Sequence, residues 1–395
     1  MKITSAEIYD ARPANNAQGL SLVLLRLWTD EGIYGLGEVA LAYGTGSAAG
    51  LAMLRQLVER YVIGADPFRI ERLWHTMFRE TFWALGGGPV IYGGMSAIDV
   101  ALWDIKGKAL GAPVYELLGG KVNSRLRLYA NGWSNIADED GRPLICTPEE
   151  YGRAVQRVLD DGYDALKFDP FYINAERRRW HPPSTLDKPT MDLAEGRMRA
   201  VREAVGPDVD ICVEVHGILG VTSAIEMGRR LVPYRPYFYE EPVHALNVDA
   251  MRKVSQSVPL PIAAGERLYT RFGFRQYIEK QVVDIIQPDI SLAGGLTETK
   301  KIADYAETYD MHVQPHLCAG PVHTAACIQL DACLTNFIIQ EWRPYAGDSV
   351  LDLVNEPLDD KAEKGYLTVP DRPGLGVTLN EDAVKRYPVV RITAG

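Results

Sequence analysis

Long apolar runs are missing from this sequence. Nowhere in its 395 residues does an uncharged apolar stretch reach roughly 18 residues, so no membrane-spanning helix is expected. The N-terminus, MKITSAEIYDARP, lacks a cationic segment followed by an apolar one, which speaks against a secretory leader and for a soluble, cytoplasmic protein. Cysteine is sparse and odd in number: Cys146, Cys212, Cys318, Cys327 and Cys333, with no CxxC among them. Several lie in apolar stretches, so buried free thiols are expected rather than disulfides. Positive charge is in deficit, with 42 Lys and Arg against 52 Asp and Glu and a net charge of −10. That balance argues against counterion-driven binding to nucleic acid and against an anionic membrane surface. An acidic small molecule would need a local positive element, such as a bound cation. A dinucleotide fingerprint is absent too, since the glycine run Gly86–Gly88 leads into Pro89 rather than joining a strand to a helix.

What is present describes an ordinary globular enzyme, 47% hydrophobic and 24% charged. At about 150 residues per domain, the length suits two or three domains, or one large barrel with an accessory domain. The first part opens with strand-like runs, ITSAEIYDAR and LSLVLLRLWTDEG, then the turn-rich IYGLGEVALAYGTG, which predicts an antiparallel meander. Helical spacing follows in GLAMLRQLVERYV, FRIERLWHTMFRE and MSAIDVALWDIKGKAL. Strands followed by helices predict an α+β domain over residues 1–124. Over residues 125–345 the rhythm changes to eight short β-rich runs alternating with seven helical ones. Strict alternation predicts a (β/α)7β barrel of TIM type, with an open doubly wound sheet as the alternative. Residues 346–395 are turn-rich and are expected to fold back onto the first domain. The insertion at 172–190, YINAERRRWHPPSTLDKPT, exceeds a normal βα loop and reads as functional or mobile.

In such a barrel the chemistry sits at the C-terminal ends of the strands. The third, fourth and fifth barrel strands end in Glu214-Val215-His216, Glu240-Glu241-Pro242 and Gly265-Glu266-Arg267, and the three carboxylates Glu214, Glu240 and Glu266 recur at one equal interval. Converging carboxylates repel one another unless a cation compensates them. An all-oxygen set selects a hard divalent ion, Mg²⁺ over Zn²⁺. The alternative is three surface glutamates, each paired with a base. Side-chain alternation leaves only one of Glu240 and Glu241 facing the ion. The sixth strand ends in Gln287-Pro288-Asp289 and the seventh in Gln314-Pro315-His316, so Asp289 can orient the His316 imidazole as a general base. His216, two residues beyond Glu214, is expected on the same side as a second acid/base group. Lys167 and Asp169 share a face of the second strand. Lys167 would stabilise charge or, if desolvated, act as a base. Together these groups fit abstraction of a proton next to a substrate carboxylate, with an enediolate stabilised by the cation.

The ordered stretches MSAIDVALWDIKGKALGAPVYELLGG, CVEVHG, YFYEEPV, IAAGER, IIQPDISLAGGLTE, VQPHLCAGP and NFIIQEW resemble the enolase superfamily, and within it the mandelate racemase subgroup. A Lys or His base acting with Mg²⁺ is a known pattern of that superfamily. The resemblance implies a capping domain closed by the C-terminal segment over the barrel, metal ligands Glu214, Glu240 and Glu266, a His316–Asp289 dyad, and Glu341 as a substrate-binding or electrophilic residue. Two departures stand out. The first ligand is Glu214 where the subgroup often has Asp, and the racemases' Lys-x-Lys pair here reads Lys167-Phe168-Asp169, which disfavours a two-base racemase. His216 after the first ligand resembles the acid-sugar dehydratases of galactonate type, as does QPHLCAGPVHTAACIQLDA. By that analogy His316 takes the C2 proton, His216 protonates the departing C3 hydroxyl, and the product is a 2-keto-3-deoxy sugar acid. The substrate is a small acid sugar, and a homo-oligomer is expected from the family. Specificity is expected from capping-domain loops at 12–20 and 41–47, and Asp169, Tyr43 and Trp83 complete the candidate substrate contacts. The competing readings are a cycloisomerase or epimerase working through the same enediolate, a catalytically silent metal-binding member, and a zinc hydrolase.

Overall fold

The computed structural model describes residues 1–12, 20–39, 41, 45–138, 140–345 and 351–394. The capping domain begins with three antiparallel strands, β1 (Ile3–Ala11), β2 (Leu22–Thr29) and β3 (Tyr34–Val39). The third lies in the stretch that sequence reading assigned to turn. Its glycines explain the difference: a Cβ on Gly35 or Gly37 would sit 2.0 Å from the Ala101 carbonyl oxygen or 1.9 Å from that of Ala97. Glycine here marks a strand pressed against a helix backbone, not a loop. That helix is α3 (Pro89–Leu110), which follows α1 (Ser47–Leu57) and α2 (Ile70–Glu80) and stops at Gly111 in the left-handed conformation.

Eight parallel strands then form one sheet: β4 (Arg125–Ala130), β5 (Ala165–Phe168), β6 (Asp210–Glu214), β7 (Phe238–Glu240), β8 (Ile262–Ala264), β9 (Ile285–Ile286), β10 (His312–Val313) and β11 (Gln340–Trp342). Neighbours run β10-β9-β8-β7-β6-β5-β4-β11, and a bridge from Val313 to Phe337 joins the two ends. The barrel strands are shorter than the apolar runs suggested. In the sixth, Pro288 has no N–H for the ladder, and the Asp289 carboxylate caps the turn Ile290–Ala293, so ISLA is helical. Tyr129, Ala165, Cys212, Phe238, Ala263, Ile285 and Ile339 form a buried apolar cluster, giving the polar groups above it a low-dielectric floor. Of the C-terminal segment, β12 (Tyr366–Thr368) pairs with β4 and β13 (Val389–Thr393) pairs with β1. All five cysteines are free, and among the described residues no helix is long and apolar enough to cross a membrane.

Buried carboxylates of the capping domain bind main-chain N–H groups of the barrel. Asp99 on α3 accepts from the Thr297 amide at 3.0 Å, in the first turn of the helix Gly295–Glu307. Glu38 on β3 accepts from Gly320 at 2.5 Å and from His323 at 3.3 Å, where the helix Pro321–Asp331 begins. Helix N-termini attract anions through their free N–H groups and dipole. Trp74 adds an indole bond to the Gly294 carbonyl at 2.8 Å.

The joint is sensitive to pH. Burial raises the Asp99 carboxyl to about 7, against the hydrogen bonds from Thr297, and its Oδ1 has no partner. Between the unfolded and folded values, about pH 4 to 7, the folded protein holds a proton that the unfolded chain has released. Stability from this proton is complete below that window and fades as pH rises through it. Asp99→Asn has no such proton to lose and is expected to gain on the native protein by about 1.4 kcal/mol per pH unit through the window. Urea unfolding at about pH 5 and about pH 8 measures the gap between the two proteins, and an unchanged gap would refute the assignment.

Candidate active site

Glu214 and Glu240 close β6 and β7 and are direct register partners, which places their carboxylates side by side. Glu266 lies two residues beyond β8 and reaches the same point through Gly265. With φ of 156°, a Cβ on Gly265 would lie 2.6 Å from the Gln287 amide nitrogen, so only glycine lets the chain turn here against β9. One oxygen from each of the three glutamates falls within 4.8 Å of the others. All three donors are hard oxygens at strand ends, a set that fits a divalent cation such as Mg²⁺. Burial and the neighbouring Glu214 raise Glu240 well above the carboxylate range. Burial alone would raise Glu214 as well, but His216 and Lys167 outweigh it and hold that group well below the range.

Lys167 projects from β5 into the middle of this charge. Its Nζ lies 3.1 Å from Glu214, 3.1 Å from Glu240 and 3.1 Å from Glu341, and the residue is 3% exposed. Desolvation pushes a lysine down, yet Glu240 and Glu341 overcome it and raise Lys167 well above its usual value. In this geometry the lysine compensates the charge of three carboxylates. Glu341 on β11 is held on both oxygens, by the Asn131 side-chain amide at 2.7 Å and by the Leu317 N–H at 3.0 Å.

Two histidines approach from different strands. His316 follows β10 and pairs through Nδ1 with Asp289 at 2.8 Å, while Nε2 lies 3.0 Å from Glu266. An Nδ1–carboxylate bond fixes the tautomer and directs Nε2 into the site. Burial would lower His316, but Glu266 and Asp289 raise it well above its usual value. His216 turns out of β6 with φ of 56°, its amide donating to Glu214 at 2.8 Å and its Nδ1 lying 2.9 Å from Asp169. Burial again opposes, and Glu214 and Asp169 prevail, raising His216 to about 10.

The structure thus gathers Lys167, Glu214, His216, Glu240, Glu266, Asp289, His316 and Glu341 at one end of the barrel. Asp169, expected among substrate contacts, already uses both oxygens within the protein, one on His216 and the other accepting the Phe171 N–H at 2.7 Å. Trp83 lies outside the buried cluster, 76% exposed and edge-on to Phe82. Tyr43 falls outside the described residues. Sequence reasoning missed Asn131 and the bridging Arg267, which pairs with both Glu241 and Glu266. Arg267 was legible as the base next to the third ligand. Asn131 had no signal, because its partner lies on the far side of the chain order. The 172–190 insertion divides: Asp187 caps the helix Lys188–Val205, and the rest is loop.

Comparison with known proteins identifies the family. Residues 10–119 match the mandelate racemase/muconate lactonizing enzyme N-terminal domain, and residues 150–383 match the enolase C-terminal domain-like family. D-galactonate dehydratase of Variovorax paradoxus (strain S110) is 37% identical, covering 97% of this chain and 94% of that protein. The protein of the same name from Xanthomonas oryzae pv. oryzae (strain PXO99A) is also 37% identical, over 98% of this chain and 94% of its own. A crystal structure of an enolase superfamily member from Salmonella Typhimurium superposes with a TM-score of 0.93 at 40% identity, covering 99% of this chain and 100% of the other. With both domains matched and curated relatives aligned over nearly their full length, this chain belongs to the mandelate racemase/muconate lactonizing enzyme family of the enolase superfamily.

Proposed function

We propose that the protein is a Mg²⁺-dependent hydro-lyase that dehydrates a sugar acid, an aldonate or aldarate, to a 2-keto-3-deoxy acid. The observation that carries this reading is the pair of histidines, each with its own carboxylate partner, reaching one carboxylate cradle from different strands. A β-elimination needs a base at C2 and an acid at C3, and a single-base reaction would have no use for the second pair. The D-galactonate dehydratase name of the curated relatives supports the same class.

His316, its tautomer set by Asp289, takes the C2 proton on Nε2 and leaves an enediolate. His216, oriented by Asp169, gives its proton to the C3 hydroxyl, which departs as water. The enol then tautomerises to the 2-keto-3-deoxy acid. A divalent cation held by Glu214, Glu240 and Glu266 would offset the charge that favours protonated His316 and would stabilise the negative charge developing on the substrate carboxylate. Lys167 holds Glu214, Glu240 and Glu341 in place and lowers the cost of burying them together. The Lys-Phe-Asp sequence supports dehydration over two-base racemisation, since Asp169 in place of a second lysine serves the acid His216.

The reading is tested by incubating the purified protein with Mg²⁺ and a library of C4 to C6 aldonic and aldaric acids and assaying 2-keto-3-deoxy products. Isomerised product of unchanged mass would favour a cycloisomerase or epimerase instead. With the substrate found, His316→Asn is expected to lose C2 deuterium exchange in D₂O together with turnover. His216→Asn should lose dehydration by about a hundredfold or more while exchange persists. Full turnover in both variants would refute the acid and base assignment. Saturating Mg²⁺ should stabilise the protein by about 2.7 kcal/mol at a hundred times its Kd. Glu240→Gln should abolish that rise in Tm, and a Tm indifferent to Mg²⁺ in the native protein would refute the cradle.

A further inference from the structure

Outside the site, one buried cation stands apart. Arg197, on the helix Lys188–Val205, is 1% exposed, and its guanidinium bonds main-chain carbonyls and a thiol. Its Nε donates to the Cys146 carbonyl at 2.7 Å, and its Nη1 to those of Pro170 at 2.6 Å and Ile173 at 2.7 Å. Nη2 lies 3.6 Å from the Cys146 sulfur, and the guanidinium stands 5.1 Å from the Tyr151 ring centroid. A desolvated cation is costly, so its retention calls for a task that a neutral side chain would not perform. Only a planar fork of five donors reaches three carbonyls on two loops at once.

Those loops follow β4 and β5, and the second begins with Asp169. Pro170 is the next residue, and the Phe171 N–H closes a turn onto Asp169 Oδ1, leaving Oδ2 for His216. The clamped carbonyls of Pro170 and Ile173 therefore bracket the turn that presents Asp169. Carbonyls of a loop cannot anchor one another, since all are acceptors. The guanidinium of the helix beneath supplies donors to both loops.

We propose that Arg197 is a positioning residue for the acid step: by clamping Pro170, Ile173 and Cys146 it holds the Asp169 turn where its free oxygen orients the His216 imidazole. This rests on the reading of His216 as the acid. Lysine has three donors at one point and cannot span the three carbonyls, so Arg197→Lys keeps the charge and loses the clamp.

The test compares native protein, Arg197→Lys, His216→Asn and the double variant, with Mg²⁺ and the acid sugar that the native enzyme dehydrates. Arg197→Lys is expected to lose dehydration by about tenfold to a hundredfold, with C2 exchange in D₂O changed less than about twofold. It should cost nothing further in the His216→Asn background, because the clamp acts through that ring. Asp169→Asn, which leaves the clamp intact, should reproduce the split between exchange and dehydration. A readout free of activity is amide deuterium uptake over residues 169–174, expected to rise in Arg197→Lys and not in His216→Asn. Equal loss of exchange and dehydration, an additive loss in the double variant, or unchanged uptake would each overturn the proposal. If the native protein dehydrates no acid sugar, the functional reading fails, while the uptake measurement still decides whether Arg197 clamps the turn.

Discussion

Like charges forced together govern this molecule. Glu214, Glu240, Glu266 and Glu341 crowd one end of the barrel above an apolar floor, where each would be neutral if left alone. The polar features of the site answer that repulsion. Lys167 is wedged among three of the carboxylates, two main-chain N–H groups bind Glu214, Arg267 bridges Glu241 and Glu266, and the geometry of the three strand ends suits a cation. The same crowding raises the affinity of both histidines for protons, and their Asp partners add to it.

A site built on repulsion needs stiff walls. The strand ends carry the glutamates, but the loops that follow carry Asp169, His216, Asp289 and His316, and loops yield unless anchored. The His216 loop is held by the Gly217 N–H on the Glu241 carbonyl at 2.7 Å. The Asp289 carboxylate caps the turn that follows it, the Leu317 amide is bonded to Glu341, and Gly320 is bonded to Glu38 of the capping domain. The Asp169 loop rests on Arg197. Glu38 and Asp99 therefore tie helix starts of the barrel to a strand and a helix of the capping domain.

The barrel was legible because alternation of short apolar runs with helical spacing is a local pattern repeated many times. The clustering of Glu214, Glu240 and Glu266 was legible for a related reason, since equal intervals between glutamates at strand ends place them at equal height. Asp289 with His316 followed from adjacent strands. What failed was also instructive. Strand β3 was hidden by Gly35 and Gly37, whose meaning depends on a helix more than fifty residues later. The bond between Asp169 and His216 was hidden too, because the ring reaches that carboxylate only after a left-handed turn that the sequence does not announce.

The order of residues alone determined the alternating architecture, the three carboxylates and the two histidines, because each depends on periodicity or on position at a strand end. Asp289 with His316 apart, only the tertiary structure decided which partner each of those groups keeps. Lys167 lies among Glu214, Glu240 and Glu341, Asp169 holds His216, Arg197 grips two loops, and Glu38 reaches the helix after His316. These pairs are distant in sequence, and their formation rests on barrel closure and domain docking. The strength of a buried charge pair is set by a few ångströms of placement, which no local pattern encodes.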